Sequence, residues 1–434
     1  MGKIQNFDAL ATSPERKAAL EITEAALAAI DTKAVIRKWV SNTNGNLTIG
    51  EHLIKKEEYD RLFVVGVGKC ALEAGIALEE ILGEQLSSGM LLTPIHPSAL
   101  SNFPPEDKLK IFVGSHPFPT EANVNATSEI INLLATCTPK DMVLFVISGG
   151  GSTLLCQPRN LVCAQEKEIL NILFDKGATI EEDNIIRKHL SLARGGHLAA
   201  YAYPARIISL IFSDVPGDDV QFIASGPTVM DTTTVAEAET IVKKYQLEKH
   251  LGFKIELLEN PKDKKYFEGV TNIIVVSNRV ATDAMEKKAE ELGCKATTVT
   301  RTLQGEARKV GKNIAKKIHG MPPGSVLLYG GETTVTVKGS GIGGRNQEVA
   351  LGAMGKIREG ELILSFASDG RDNSDCAGAL CDIMTGEKAK KLSLDPRSFL
   401  KRNDSFHFFE AVGDSLKTGD TGSNVSDLII AMKL

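Results

Sequence analysis

Apolar residues recur at helical spacing through Ala18, Ile22, Ala25, Ala26 and Ala29 and onward to Val35 and Trp39, which predicts a leading helical segment. Ser13 can accept the first unpaired backbone donors of that helix, and Pro14 is pre-set for its first position. The texture then changes to short apolar runs separated by amphipathic stretches. Strand-like runs at 62–65, 89–93, 111–113, 142–147 and 206–213 alternate with helical patterns at 70–82, 120–135, 165–176 and 182–200. Strands separated by helix-length segments predict crossover units and a mostly parallel sheet covered on both faces. After Pro227 come a helix at 235–245, a Lys-rich polar stretch at 259–266, and a renewed alternation of strands (272–276, 296–300) with helices (279–292, 306–319). Further runs at 326–329, 334–337 and 362–367 read as strands, with a helix opening at Arg345.

The expected fold class is therefore α/β: a mostly parallel sheet in an N-terminal domain at 1–232, followed by a C-terminal α/β domain at 233–434. Residues 1–45 form a leading helical segment able to pack across the two. Composition narrows the class of function. Of 434 residues, 50 are Lys or Arg and 55 are Asp or Glu, a net charge of −5 that offers no basic field for a nucleic-acid backbone. The longest apolar runs, such as 142–147 and 428–432, fall far short of the roughly 20 residues of a membrane span. There is no signal-peptide pattern, and seven Cys with no Cys-x-x-Cys spacing predict neither a disulfide framework nor a zinc site. The expected setting is cytoplasmic.

The informative glycines sit where ligands bind in open parallel sheets, beyond the carboxyl ends of strands. Val64-Val-Gly-Val-Gly-Lys69 follows a strand and opens a helix. It lacks the third glycine of a dinucleotide fingerprint, and no acidic residue follows the next strand. A tight turn with a surface lysine remains open, as does a nicotinamide site. The favoured reading sets Gly68 and Lys69 against phosphate or carboxylate at a helix start. Ser148, Gly149, Gly150, Gly151 and Ser152 follow an apolar strand directly; three glycines there suit a backbone that must approach a ligand. The stretch is neither a Walker loop nor a nucleophile elbow.

Lys188 and Arg194 belong to a basic stretch whose members do not share one helical face, so a solvated face competes with an anion-binding role. Gly195 and Gly196 inside it suggest close approach of another element. Asp214 and Asp219 cap a strand and suit Mg²⁺, which takes one or two carboxylates plus phosphates and water; either can instead accept a substrate proton. A turn with solvated acids is the plain alternative. Glu332, Arg345 and Asn346 lie in a second glycine-dense stretch, with Arg345 able to clamp an anion bidentately at a helix start. Asp369 and Asp372 follow the strand at 362–367. Several such loops, all after strands, predict one polyanionic site in a cleft between the domains.

Gly66-Val-Gly-Lys69, Gly114-Ser-His-Pro-Phe-Pro119, Ser148-Gly-Gly-Gly-Ser152, Arg187-Lys-His-Leu-Ser191, Ser213-Asp-Val-Pro-Gly-Asp-Asp219 and Ile223-Ala-Ser-Gly-Pro-Thr-Val229 occur in that order. Gly330-Gly-Glu-Thr-Thr-Val335, Gly343-Gly-Arg-Asn-Gln-Glu348 and Ser368-Asp-Gly-Arg-Asp372 complete the series. Together they resemble the class II glycerate kinases (glycerate 2-kinases), the family with a C-terminal MOFRL domain, over nearly the whole chain. The resemblance implies phosphorylation of D-glycerate by ATP to 2-phosphoglycerate, with Mg²⁺ or another divalent cation. It also implies a Rossmann-like N-terminal domain and a smaller C-terminal α/β (MOFRL-like) domain around a deep cleft, with roles for Lys69 and Arg345 at that cleft and for Asp214 and Asp219 as its acidic motif. The chain departs from the family at 372–379, where Asp-Asn-Ser-Asp-Cys-Ala-Gly-Ala replaces the usual Asp-Gly-Thr-Asp-Ala-Ala-Gly-Ala. Two competitors stand beside the kinase: an NAD(P)H-dependent hydroxypyruvate reductase and a non-catalytic binder of sugar phosphates or small acids. The number of subunits is left open, a homodimer included.

Overall fold

Apolar residues dominate the strands of the first sheet, the pattern of a parallel sheet covered on both faces. The computed structural model describes residues 2–94 and 108–434. It divides into two compact units, Val35–Val275 on the one hand and Met1–Ala34 with Val276–Leu434 on the other.

Val35–Val275 opens with a small antiparallel meander, β1 (Val40–Thr43), β2 (Asn46–Ile49) and β3 (His52–Ile54), so the leading segment read as helical to residue 45 ends its helices at Trp39 and continues as a strand paired to β2. Its main sheet holds β4 (Arg61–Val67), β5 (Leu86–Thr93), β6 (Leu109–Val113), β7 (Asp141–Ser148), β8 (Arg206–Phe212) and β9 (Val270–Val276). The spatial order is β6-β5-β4-β7-β8-β9, with β6 through β8 paired parallel. Ranked within the sheet, that is 3-2-1-4-5-6, the doubly wound order whose ligand crevice opens where the winding reverses, beyond β4 and β7. One face of the sheet packs Val65, Val67, Phe145 and Ile147 against Ala126, Ile130 and Leu134 of the helix Glu121–Leu134. A satellite core holds the helices Cys163–Asp175, Ile180–His189 and Val235–Lys244 together through Leu173, Ile186 and Ile241.

The other unit has a mixed sheet: β10 (Lys295–Leu303), β11 (Ser325–Gly331), β12 (Glu361–Ala367), β13 (Gly378–Asp382), β14 (Ser415–Leu416) and β15 (Asp427–Lys433). Its order is β10-β11-β15-β12-β13-β14; only β10 and β11 are parallel. The helix Pro14–Ala29 begins at Ser13, whose side chain accepts from the Arg16 N–H as expected, and it packs against the helix Asn278–Glu291. Fully buried Arg16 anchors it, donating from Nε and Nη2 to Asp382 at 2.6 and 2.7 Å and from Nη1 to Asp414 at 2.7 Å.

The chain thus divides at 34/35 and 275/276 rather than at 232/233. Residues 233–275 complete the first sheet through β9, and the leading helix belongs with the C-terminal strands. Two elements also differ from the pattern. The stretch 182–200 is broken after His189, because Gly195 and Gly196 take left-handed φ of 57° and 88° before a short helix His197–Ala202. At 334–337 only an isolated bridge from Thr334 to Glu306 forms, since no neighbouring strand is available to pair the rest.

Candidate functional site

Two clusters emerge, one in each unit. In Val35–Val275 the turns after β4 and β7 are stapled together at the carboxyl ends of their strands. Lys69 N–H donates to the Gly149 carbonyl at 2.9 Å, and Cys70 N–H donates to Ser148 Oγ at 3.1 Å. Ser148 Oγ in turn donates to the Val67 carbonyl at 3.3 Å. Gly68 has φ of 118°, and a Cβ there would strike Ser148, so only glycine lets the two turns approach this closely. The same logic holds at Gly149, where a Cβ would fall on the Asp214 carboxylate. At Gly150 a Cβ would stand 3.4 Å from the His116 ring and 3.6 Å from Lys69 Cγ. Gly68, Lys69, Ser148 to Ser152 and Asp214 are therefore brought together as one patch.

The patch extends to residues of the Ile223–Val229 motif, which the sequence marked without assigning them a role. Ser225 Oγ donates to Ser152 Oγ at 3.0 Å, and Gly151 packs on Ala224. Ala224 and Ser225 hold φ of 51° and 56°, a left-handed conformation costly for residues with a side chain and typical of functional turns. The carbonyls of Ser225 and Gly226 accept from Gly195 and Gly196 N–H at 2.9 and 2.8 Å, which is the close approach those paired glycines predicted. His116, from the Gly114–Pro119 motif, has its pKa lowered by burial, and the charges of Lys69 and Arg187 lower it further. Only the motif itself signalled this residue.

Asp219 turns back on its own loop, accepting from Gln221 N–H at 2.9 Å, while Asp218 accepts from Ser213 Oγ at 2.6 Å. Lys188 and Arg194 are not solvated and do not join the patch. Lys188 pairs with Asp231 at 2.5 Å, and Arg194 pairs with Glu166 at 2.6 Å, with both side chains of each pair buried. Asp231 also accepts from Asn260 at 2.6 Å. Burial would raise its pKa, but Lys188 and these hydrogen bonds hold it below the ordinary carboxylate value. Each of these basic residues ties a helix to a loop through a buried ion pair.

In the other unit the turn after β11 and the helix Arg345–Ala353 meet the ends of β12 and β15. Arg345 donates from Nε and Nη2 to Asp427 at 2.6 and 3.1 Å and from Nη1 to Glu332 at 2.5 Å. Asn346 donates to Asp427 at 2.8 Å and accepts from Ser365 Oγ at 2.6 Å. The helix start, expected as an open anion cradle, is filled by the protein's own Asp372. Its carboxylate accepts from the N–H groups of Asn346 and Gln347 at 3.0 and 2.8 Å. Asp369 accepts from Arg371 N–H at 3.0 Å in the turn after β12. Burial pushes Asp372 upward, and it pushes Asp427 up to about 7 against the pull of Arg345. Arg345 itself remains firmly charged: burial disfavours its cation, but Asp427, Glu332 and Asp372 outweigh that. Asp427 was missed because a single Asp ahead of an apolar run, far along the chain, carries no local signal.

An α/β chain that gathers lysine, carboxylates and bare glycine backbone at the reversal point of a doubly wound sheet is built to handle small, negatively charged metabolites. Comparison with known proteins makes this specific. Residues 18–259 match a domain of unknown function, DUF4147, and residues 325–427 match the MOFRL family. A D-glycerate 2-kinase of Thermotoga maritima is 36% identical over 87% of this chain and 92% of its own length. A glycerate 2-kinase of Pyrococcus horikoshii is 35% identical over 88% and 90%. An Agrobacterium vitis protein named as a hydroxypyruvate reductase is 35% identical over 85% and 86%. The crystal structure of a Thermotoga maritima glycerate kinase superposes with a TM-score of 0.83 at 32% identity, covering 96% of this chain and 99% of that one. The chain belongs to the glycerate kinase family with a C-terminal MOFRL domain.

Proposed function

We propose that this chain transfers the γ-phosphoryl group of ATP to D-glycerate, yielding 2-phosphoglycerate, on a Rossmann-like crevice at the ends of β4 and β7. The observation that carries the reading is the stapled pair of turns there, which sets Lys69 and Asp214 against three glycines. Phosphoryl transfer asks little covalent chemistry of a protein; positioning and charge neutralisation supply most of the rate. The Lys69 ammonium neutralises an anionic group of the substrates, the transferring phosphoryl or the glycerate carboxylate, and the Arg345 guanidinium is a separate candidate for binding an anion on the other unit. The Ser148–Ser152 backbone contacts anionic oxygens at Gly150, whose open side is bordered by His116 and Lys69. Glu332 and Asp427 hold the Arg345 fork in a fixed plane.

The residues fit a divalent cation carried on nucleotide phosphates. Asp214 lies where Gly149 leaves it room, and among the described residues no three His, Cys, Asp or Glu side chains form a ready-made metal cage. Asp214 would hold the ion, with Asp219 the second candidate; when bound, it offsets the charge of the triphosphate. The carboxylate not so engaged takes the proton of the glycerate hydroxyl. No helix among the described residues is long and apolar enough to cross a membrane. A compartment that supplies ATP, the cytoplasm in this reading, is the setting the chemistry needs.

Phosphorus NMR of the product formed from D-glycerate and ATP tests the proposal, because the 2- and 3-phosphates resolve. A 3-phosphate signal would overturn the regiochemistry, and no phosphoester would overturn the kinase. The reductase name borne by the Agrobacterium vitis relative makes a second assay worthwhile. With hydroxypyruvate and NADH, absorbance at the nicotinamide band is expected to stay constant.

A further inference from the structure

We infer that a pocket on the Val35–Val275 unit, beside the Ser148–Ser152 turn, receives the purine nucleoside of ATP; this rests on the kinase reading. The pocket, about 600 Å³, lies between the helices Cys163–Asp175 and Ile180–His189, the Pro117–Pro119 turn and Thr153. Pockets of this size suit drug-sized ligands.

Its walls are apolar and unusually bare. Phe174 and Ile180 are 84% and 72% exposed, and Phe118 is 48% exposed. The satellite core beneath them is closed by other residues of the same helices, Ile169, Leu173 and Ile186, so packing does not explain these three. Two aromatic faces and a branched aliphatic chain around one cavity suit a flat heterocycle, which gains by stacking whatever its edge pattern.

The polar groups of the pocket are those a nucleotide needs beyond its base. Asp183 and Arg187, four residues apart on one helix and paired at 2.6 Å, both line it. Asp183 offers an acceptor for ribose hydroxyls, and Arg187 offers a cation for phosphate. Lys167, whose ammonium lies 4.0 Å from the Phe118 ring centroid, adds a second cation at the rim. Position relative to the glycine turn supplies the other half of the argument. Thr153 directly follows Ser152 and donates to the Pro117 carbonyl at 3.4 Å, so pocket and glycine turn share a wall. Arg187 and Lys69 both act on His116, which flanks Gly150. A nucleoside in the pocket therefore has its phosphates directed along Arg187 toward the stapled turns.

Phe174→Ala and Ile180→Asn remove exposed side chains and so leave folding intact, which circular dichroism can verify. Steady-state kinetics with the full-length enzyme should show KM for ATP raised about tenfold in each, with KM for D-glycerate within about twofold of wild type. Phe174→Trp should restore KM for ATP. An unchanged KM for ATP in both variants would overturn the inference, as would equal rises in both KM values. Loss of self-association in Phe174→Ala with ATP affinity intact would also overturn it, making this face a contact between copies. Calorimetric titration with ATP in the absence of glycerate separates the two levels of the argument. If wild type shows no glycerate kinase activity, the functional reading falls. The pocket then stands if Phe174→Ala weakens ATP binding and falls if it does not.

Discussion

The two glycine-rich clusters have similar local sequence and opposite construction. In Val35–Val275, glycines after β4 and β7 bring two strand ends into direct backbone contact and leave Lys69 and Asp214 beside bare peptide. In the other unit, glycines lead into a helix whose first N–H groups are already taken by Asp372, and Arg345 is tied to Asp427 and Glu332. One cluster is organised by chain conformation and the other by ion pairs. A glycine-rich turn entering a helix is thus an anion site only if no internal carboxylate reaches it first. Lys188 and Arg194 follow the second construction, with their charges paired inside the protein like that of Arg345.

Mutations can break this comparison or sharpen it. The largest effect is expected for Arg194→Met, which leaves Glu166 charged and buried and should cost about 3–5 kcal/mol of stability in urea unfolding. The turnover of the molecules that remain folded should not change. Adding Glu166→Leu should recover most of the loss; a fall in kcat at normal stability would instead put Arg194 in the site. Lys69→Ala should behave in the reverse way, raising the barrier by about 3–4 kcal/mol in kcat with the melting temperature held. A near-normal kcat would remove Lys69 from the mechanism.

Two glycines report on the two constructions. Gly149→Ala forces a methyl onto the Asp214 carboxylate, and strain of about 1–3 kcal/mol should appear as roughly tenfold loss in kcat/KM. Gly344→Ala drives a methyl into the Asp372 cap and should lower the melting temperature instead. The smallest effect concerns Asp427, whose folded pKa of about 7 lies above its ordinary 3.8. The native state therefore binds this proton more tightly than the unfolded chain does. Its contribution to stability is complete below the unfolded value and is lost as pH rises through about 7. Relative to Asp427→Asn, the wild-type urea midpoint should fall between pH 5 and pH 8; parallel curves would contradict the burial of this carboxylate.

Much of the fold was legible along the chain. The parallel sheet follows from apolar runs separated by helix-length segments, and Ser13-Pro14 marked the start of its helix. The turns at Gly68–Lys69 and Ser148–Ser152 were legible because glycine has a local backbone reason to be there. Lys188 and Arg194 were misread because nothing within a few residues tells whether a basic side chain will meet water, a ligand or a distant acid. Asp231 and Glu166 lie 43 and 28 residues away from them.

The order of elements, the positions of the tight turns and the family of the chain are properties of the sequence itself, since each depends on neighbours in the chain or on motifs read in order. Tertiary structure alone decided that β9 and 233–275 complete the first sheet and that the leading helix lies with the C-terminal strands through Arg16. It also decided which charges are spent inside the protein. These outcomes depend on contacts between residues far apart in the chain, where burial removes water and leaves each charge to be satisfied by opposite charges and hydrogen bonds from the protein itself.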